Sequence, residues 1–329
     1  MIPGPSARLP RMTPAPDRPE SSRVRCAIVA PSPAPYREPL FAALDERLEL
    51  RVIYQSAGVA NWDQAASWFP REHPYDAVHL RSWEAPRPGR TPVMWPRGLE
   101  TALTRFDPEV VVSAEFGPAT LRTLVWCRRR HRPLVILTDV TPDVASVLSP
   151  LQRLVHRWLA ARAEGFVAFS SRARARLEQL GVSPDAIELS LQGADLDPVR
   201  AVAASRGLRP PDRPVRFISV GRLVPDKNYA RLLDAFAAAG FGPELAELHV
   251  HGVGPLEGEL RARAGRSNVA AVFHGHTPPA ALPQAYAEAD AFVLVSTFEP
   301  FGIAVREAVA AGLPLLVSRR VGAVDDLAI

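Results

Sequence analysis

The chain has 329 residues, 47% of them hydrophobic and 22% charged, enough for a real core and for about two domains. Two cysteines, Cys26 and Cys127, cannot staple a fold, no stretch reaches about 18 uninterrupted apolar residues, and a net charge of +4 is too mild to argue for nucleic acid as a partner. Among 39 basic residues the sole lysine is Lys227, so a compact point charge is kept there in a chain that otherwise uses the flat guanidinium fork.

Residues 1–22, rich in Pro, Ser and Arg, read as a disordered tail. Arg8 and Arg11 precede no apolar core, so no secretory signal is expected and a reducing, cytoplasmic setting is. Apolar runs rich in β-branched residues then alternate with helical stretches. Buried parallel strands are predicted near 24–30, 50–54, 110–113, 134–137, 166–169 and 187–191, with helices over 37–47, 118–130, 150–163 and 171–180. This βαβ rhythm implies a parallel sheet covered on both faces. The stretch 195–214 breaks it with prolines, arginines and no strand signal. The rhythm restarts with strands at 216–220, 248–251, 269–273, 291–295 and 315–317 and helices at 228–239, 279–289 and 302–311. The expected fold class is α/β, with two tandem Rossmann-like domains, 23–197 and 215–329, joined by a linker over 198–214. They face a cleft in which ligands bind near the carboxyl ends of the strands. The second domain stops soon after its last strand and is expected to be truncated at its C-terminus.

The densest chemistry follows the first strand of the second domain, in Gly221-Arg222-Leu223-Val224-Pro225-Asp226-Lys227-Asn228. Gly221 lets a ligand approach the backbone, Arg222 and Lys227 share one strand-to-helix loop, and Asn228 is placed to cap the helix. Two cations beside a helix N-terminus form a diphosphate site; the alternative is a solvated basic loop. A second segment, Glu299-Pro300-Phe301-Gly302-Ile303-Ala304-Val305-Arg306-Glu307, opens an Ala-rich helix. Glu299 can accept hydroxyl hydrogen bonds at the cleft, and the free N–H groups of Gly302 and Ile303 face the same place. Glu307 lies further along that helix, a rise of at most roughly 12 Å. The two carboxylates therefore suit two ends of an elongated ligand, not one bond as an acid/base pair. The alternative makes Glu299 a helix-terminus anion and Glu307 an ion-pair partner.

In order, the second half reads G-R-L-x-x-x-K-N, a strand ending H-G-x-G-P, then H-G-x-x-x-x-x-x-L-x-x-x-Y-x-x-A-D, then S-x-x-E-P-F-G-x-x-x-x-E-A-x-A-x-G-x-P. This pattern is dense from Phe217 to Leu327 and weaker through Phe169-Ser170-Ser171, Gly181 and Gly193-Ala194-Asp195. It resembles the retaining glycosyltransferases of family four, with the two-Rossmann-domain GT-B fold. The resemblance implies transfer of a sugar from a nucleotide-diphosphate donor to an acceptor hydroxyl, with retention and without a metal or other cofactor, in glycan, glycolipid or polysaccharide biosynthesis. It implies that Arg222 and Lys227 hold the diphosphate, Glu299 the sugar hydroxyls and Glu307 the ribose. Backbone at Phe301, Gly302 and Ile303 would hold sugar and phosphate, and His276 and Thr277 would lie by the base. A nucleotide-sugar epimerase or hydrolase of the same fold, or a non-catalytic nucleotide-sugar-binding fragment, stands as the alternative.

The loop Pro31-Ser32-Pro33-Ala34-Pro35-Tyr36-Arg37 departs from the glycine that the family often has there. Its prolines delete N–H donors, so it reads as part of the site for a sugar or lipid-linked acceptor, with Tyr36 and Arg37 as candidates. Glu115 and Asp139, each ending a strand at the cleft, are further acceptor-side candidates. Gly252-Val253-Gly254-Pro255 hints at a dinucleotide fingerprint, but Gly258 falls one position late, and a structural turn is preferred. Asp195-Leu196-Asp197 mimics a metal-binding D-x-D but sits at the domain junction, and no metal is expected. His249 and His251 alternate on one strand and read as packing. Leu151, Leu154, Val155, Trp158 and Leu159 form a stripe among Arg153, His156, Arg157 and Arg162, with a second basic cluster at 128–132. Two readings are open, a peripheral contact with anionic lipid at the inner face of a membrane or a helix packed on a sheet, and packing is preferred.

Overall fold

The computed structural model describes residues 23–58, 69–87, 90–205, 207, 210 and 212–327; the tail read over 1–22 lies outside the described residues. The first half runs β1 (Arg25–Ala30), α1 (Glu38–Asp45), β2 (Glu49–Tyr54), β3 (Asp76–His79), β4 (Arg81–Arg87), β5 (Arg90–Arg97), α2 (Leu99–Phe106), β6 (Val110–Ala114), α3 (Pro118–Arg130), β7 (Leu134–Thr138), α4 (Pro142–Ser146), α5 (Pro150–Ala160), β8 (Gly165–Ala168), α6 (Ser171–Gln179) and β9 (Ile187–Leu189). The second half runs α7 (Asp197–Ala204), β10 (Val215–Val220), α8 (Tyr229–Ala238), β11 (Ala246–His251), α9 (Glu257–Arg266), β12 (Ala271–Gly275), α10 (Leu282–Glu288), β13 (Ala291–Leu294), α11 (Ile303–Ala310), β14 (Leu315–Val317) and α12 (Val324–Leu327).

The tandem Rossmann-like domains are present. One parallel sheet has the order β3-β2-β1-β6-β7-β8-β9 and the other β12-β11-β10-β13-β14. β1 takes the interior of the first sheet because 26–30 is a continuous buried apolar run, as a strand covered on both faces requires. Leu103, Leu124, Leu159 and Leu177 bring α2, α3, α5 and α6 onto one face, and Phe41 brings α1 onto the other. Helix starts are set locally. Ser149 and Gln152 form a capping box on α5, and Ser170 accepts the Ala173 N–H at 3.1 Å to cap α6. Cys26 and Cys127 are buried free thiols, and burial pushes Cys26 up to about 11.

The stretch 198–214, expected as a linker, opens with a helix. Val199 of α7 is buried in the same cluster as Phe292 and Val305, so α7 packs on the second sheet's side. Prolines and arginines around it concealed its apolar face. Between β2 and β6 the sequence offered no element, yet the chain forms β3, α2 and an antiparallel β4–β5 hairpin. Pro92 and Pro96 are tolerated because each strand of a two-stranded ribbon is an edge.

Strand order reverses between β1 and β6 in the first sheet and between β10 and β13 in the second. Crevices open at such switch points. The loops leaving β1, β6, β10 and β13 are those that carry Arg37, Glu115, Lys227 and Glu299. The two halves meet through Phe169, Phe301 and Ala323, buried together. Asp326 accepts the Ser171 N–H at 3.0 Å, a carboxylate at the N-terminus of α6. Arg172 Nε donates to Asp325 at 2.6 Å and its Nη1 reaches Asp143 at 3.5 Å, while Arg320 also holds Asp143 at 2.6 Å. Arg306 donates to the Leu191 carbonyl at 3.1 Å. Arg172→Ala is expected to cost only about 1 kcal/mol in stability, as partly exposed ion pairs do. It should nevertheless speed limited proteolysis of the crossing over 190–214; an unchanged cleavage rate would show that this network does not hold the domains together.

Candidate functional site

After Val220 the chain makes one 3-10 turn, Pro225–Lys227, closed by Asn228 in the left-handed region at φ 59°. Asparagine tolerates that conformation. Asn228 occupies the N-cap position of α8 but does not cap it, contrary to the sequence reading. Its Nδ2 instead donates to the Val295 carbonyl at 3.3 Å, and the Asp226 carbonyl accepts the Thr297 N–H at 2.8 Å. These ties bind the β10 loop to the end of β13 and deliver Lys227 to Glu299. Lys227 Nζ donates to Glu299 Oε2, and both side chains are largely buried. A Cβ on Gly221 would sit 3.4 Å from Lys227 Cε and 3.4 Å from the Tyr229 hydroxyl, so this glycine leaves room for the lysine stem. Arg222 stands on the same loop; burial lowers its guanidinium, with Glu299 and Asp226 opposing.

Gly302 precedes α11 at φ 99°, and a Cβ there would lie 2.9 Å from Val321 Cγ1. Only glycine fits that turn. Among the described residues the N–H groups of Gly302 and Ile303 have no protein partner, as the first turn of a helix leaves them. They open beside Glu299, and Phe301 is buried beneath them. One further turn along the helix, Glu307 Oε2 accepts a 2.7 Å bond from the hydroxyl of fully buried Tyr286. Burial raises the Glu307 carboxyl, with the Tyr286 bond opposing. The sequence showed Tyr286 only as one letter of a spaced pattern; its partner lies on another helix, which no local signal reveals.

Thr277 meets buried His251 at 2.8 Å, and His251 stacks on His274 at 4.2 Å. Burial first, then His274 and His249, pushes His251 down to about 4. His276 lies half-buried on the same loop. His251 thus packs, as read, while also holding a residue of the proposed base end. The glycines after β11 have a structural reason: a Cβ on Gly252 would strike the Gly221 carbonyl at 2.0 Å, so the loops after β10 and β11 touch backbone to backbone. Asp195 accepts the Asp197 N–H at 3.2 Å, and Asp197 pairs with Arg200 at 3.0 Å, which makes the D-x-D a turn that starts α7.

On the opposite wall, Arg37, Glu115 and Asp139 come together from three loops. Glu115 takes the left-handed region at φ 65°, which costs a non-glycine residue roughly 1–2 kcal/mol. Its carboxylate accepts from Thr138 at 2.9 Å and from the Asp139 N–H at 3.2 Å. Burial, then the Asp139 charge, lifts Glu115 well above the usual carboxylate range. Burial also raises Asp139, with Glu299 adding and Arg37 opposing. Asp139 therefore lies within electrostatic reach of both walls. Burial alone would lower the Arg37 guanidinium, but Tyr36, Asp139 and Glu115 hold it above its ordinary value. Its Nε is buried without a partner among the described residues. Tyr36 lies 5.6 Å from that guanidinium.

Two parallel sheets whose switch points face each other, with cations from one loop and carboxylates from the next, define the GT-B class of glycosyltransferase. The profile described as Glycosyltransferase Family 4 matches residues 25–198, and that of Glycosyl transferases group 1 matches residues 203–329. The chain belongs to glycosyltransferase family 4. It is 32% identical over 183 residues to a glycogen synthase of Mycobacterium tuberculosis, a match over 53% of this chain and 42% of that one. It is 34% identical over 201 residues to a D-inositol 3-phosphate glycosyltransferase of Segniliparus rotundus, covering 56% of this chain and 44% of that one. The chain thus spans less than half the length of these curated relatives. Among solved structures, HepE from Anabaena in complex with UDP superposes over 92% of this chain and 82% of its own, with a TM-score of 0.70 at 18% identity.

Proposed function

We propose that the chain binds a nucleotide-diphosphate sugar across the groove and transfers the glycosyl unit to an acceptor hydroxyl. The observation that carries this reading is the order of charges along the groove: Lys227 paired with Glu299, Arg222 beside them, and Glu307 tied to Tyr286 one helical turn away. A diphosphate would draw Lys227 from Glu299 and leave the carboxylate for the sugar hydroxyls. The N–H groups of Gly302 and Ile303 would meet the phosphate or sugar oxygens, Glu307 the ribose, and His276 and Thr277 the base. Arg222 and Lys227 would stabilise charge on the leaving diphosphate, the task a metal performs in other sites. The bond from the anomeric carbon to the phosphate oxygen breaks as the bond to the acceptor oxygen forms on the same face. The departing phosphate oxygen takes the acceptor proton, so configuration is retained and no protein nucleophile is needed. Tyr36, Arg37, Glu115 and Asp139 would shape the site of a sugar or lipid-linked acceptor. The likeness to HepE, which is solved with UDP and with UDP-glucose, makes a uridine donor the first to test.

Nucleotide-sugars screened by thermal shift should raise the melting point, and a donor that does so should be turned over only when an acceptor is added. Donor consumed without acceptor would replace transfer by hydrolysis or epimerisation. Activity should persist in EDTA. Tyr286→Phe should raise KM for the donor several-fold with little change in kcat, because it loosens a group that holds the ribose in ground and transition states alike. A fall in kcat alone would remove Glu307 from that role.

A further inference from the structure

The stripe on α5 is split by the fold. Val155 and Leu159 face the core, but Leu151, Leu154 and Trp158 stand 69%, 62% and 38% exposed. Packing, the preferred reading of this helix, therefore accounts for only part of it. A second exposed feature was not visible in the sequence. On the β4–β5 hairpin Met94 and Pro96 turn inward, while the cross-strand pair Trp83 and Trp95 turns outward, 59% and 39% exposed with rings 4.9 Å apart. Exposed Arg81 and Arg97 are cross-strand partners on the same side of the ribbon.

α3 lies between the two features. Its Arg122 donates to the Pro96 carbonyl of the hairpin, and its Arg128 donates at 2.8 Å to the Arg162 carbonyl just past α5. Arg122 is paired with Glu100 of α2 and Arg128 lies 3.9 Å from Glu164, but Arg129, Arg130, Arg153 and Arg157 stand exposed on α3 and α5, and neither helix carries an acidic residue. The chain as a whole carries only +4, so this positive charge is local. The Arg162 guanidinium lies over the Trp158 ring at 4.5 Å, an apolar body and a charged head side by side. Exposed tryptophans, leucines and arginines on neighbouring elements suit the boundary between headgroups and acyl chains. A protein partner of the same apolar area would not demand so one-sided a charge.

We propose that this face of the first domain, formed by the hairpin, α3 and α5, docks on an anionic lipid bilayer. The docking is peripheral: the tryptophans and leucines enter the headgroup region, and the arginines meet lipid phosphates. It is independent of what the groove binds.

The test is flotation of the folded chain with vesicles of phosphatidylcholine alone or with about one third phosphatidylglycerol, at low salt and again at about 0.5 M salt. The chain should float with the anionic vesicles at low salt and remain below with neutral ones. Arg153→Glu with Arg157→Glu should lower partitioning by at least about thirtyfold, the loss expected from two cations alone. Trp83→Gln with Trp95→Gln, and separately Leu151→Ser with Leu154→Ser, should lower it while circular dichroism stays unchanged. The proposal is overturned if the folded chain ignores anionic vesicles at low salt, or if the charge-reversed variant floats as well as the parent. It is also overturned if the leucine variant converts a dimer to a monomer, which would make a second copy the occupant. None of these readouts depends on glycosyl transfer, so they stand or fall apart from the function proposed above.

Discussion

Lys227→Met should lower kcat/KM for transfer by about a hundredfold or more, the scale of removing one charge-stabilising donor from a transition state. The melting point should move by only a few degrees. The reason is the position of the ammonium. The turn 225–227 and the Asn228 bond to Val295 deliver it to Glu299 at the bottom of the groove, not into solvent. Arginine should be a poor substitute. Its fork is larger, and the lysine stem already lies 3.4 Å from where a Cβ on Gly221 would be. Steady-state kinetics on the methionine and arginine variants check this. If either variant turns over like the parent, the ammonium is structural and the diphosphate is held elsewhere.

The second large effect is on acid stability. His156 is buried, stacks on Phe116 at 4.5 Å, and has no partner for Nδ1 among the described residues. Burial first, then Arg176, pushes it down to about 4, the same value as His251. A histidine whose native pKa is depressed stabilises the fold above its unfolded value near 6.5 and loses that stability as pH falls. Between pH 6.5 and 4 each of these two should forfeit about 3 kcal/mol, at 1.36 kcal/mol per unit. Glu307, Glu115 and Asp139 act with the opposite sign. Their raised carboxyls favour the native state at low pH, and the benefit fades as pH rises through their native values. The histidine contribution is therefore read as a difference: between pH 7.5 and 4.5 the melting point of His156→Met should fall less below pH 6.5 than that of the parent. Parallel curves for parent and variant would contradict burial of an uncharged imidazole at His156.

What could be read in the sequence was whatever local order dictates. Continuous apolar runs such as 26–30 and 291–294 were legible as buried parallel strands, and the segments that carry Arg222, Lys227, Glu299 and Glu307 were legible as the loops and helix that follow β10 and β13. What escaped depends on partners far along the chain. The Arg37, Glu115 and Asp139 cluster forms only because the sheet reverses between β1 and β6, so its members were candidates without being seen as one group. Tyr286 could not be linked to Glu307, nor Asp326 to the start of α6. The hairpin hid behind prolines that argue against strands in a wide sheet and are harmless in a ribbon. Asn228 misled for a related reason: its residue type and position suit a cap, but a carbonyl on the neighbouring strand took its side chain.

The proposed function requires a diphosphate lying across the groove between the two sheets. A crystal structure of the chain with a nucleoside diphosphate tests that most directly. The expected result places the diphosphate within hydrogen-bond distance of Lys227 Nζ, Arg222 and the Gly302–Ile303 backbone, with Lys227 drawn from Glu299 and the ribose on Glu307. A nucleotide bound away from these groups, with the Lys227–Glu299 pair intact, would contradict it.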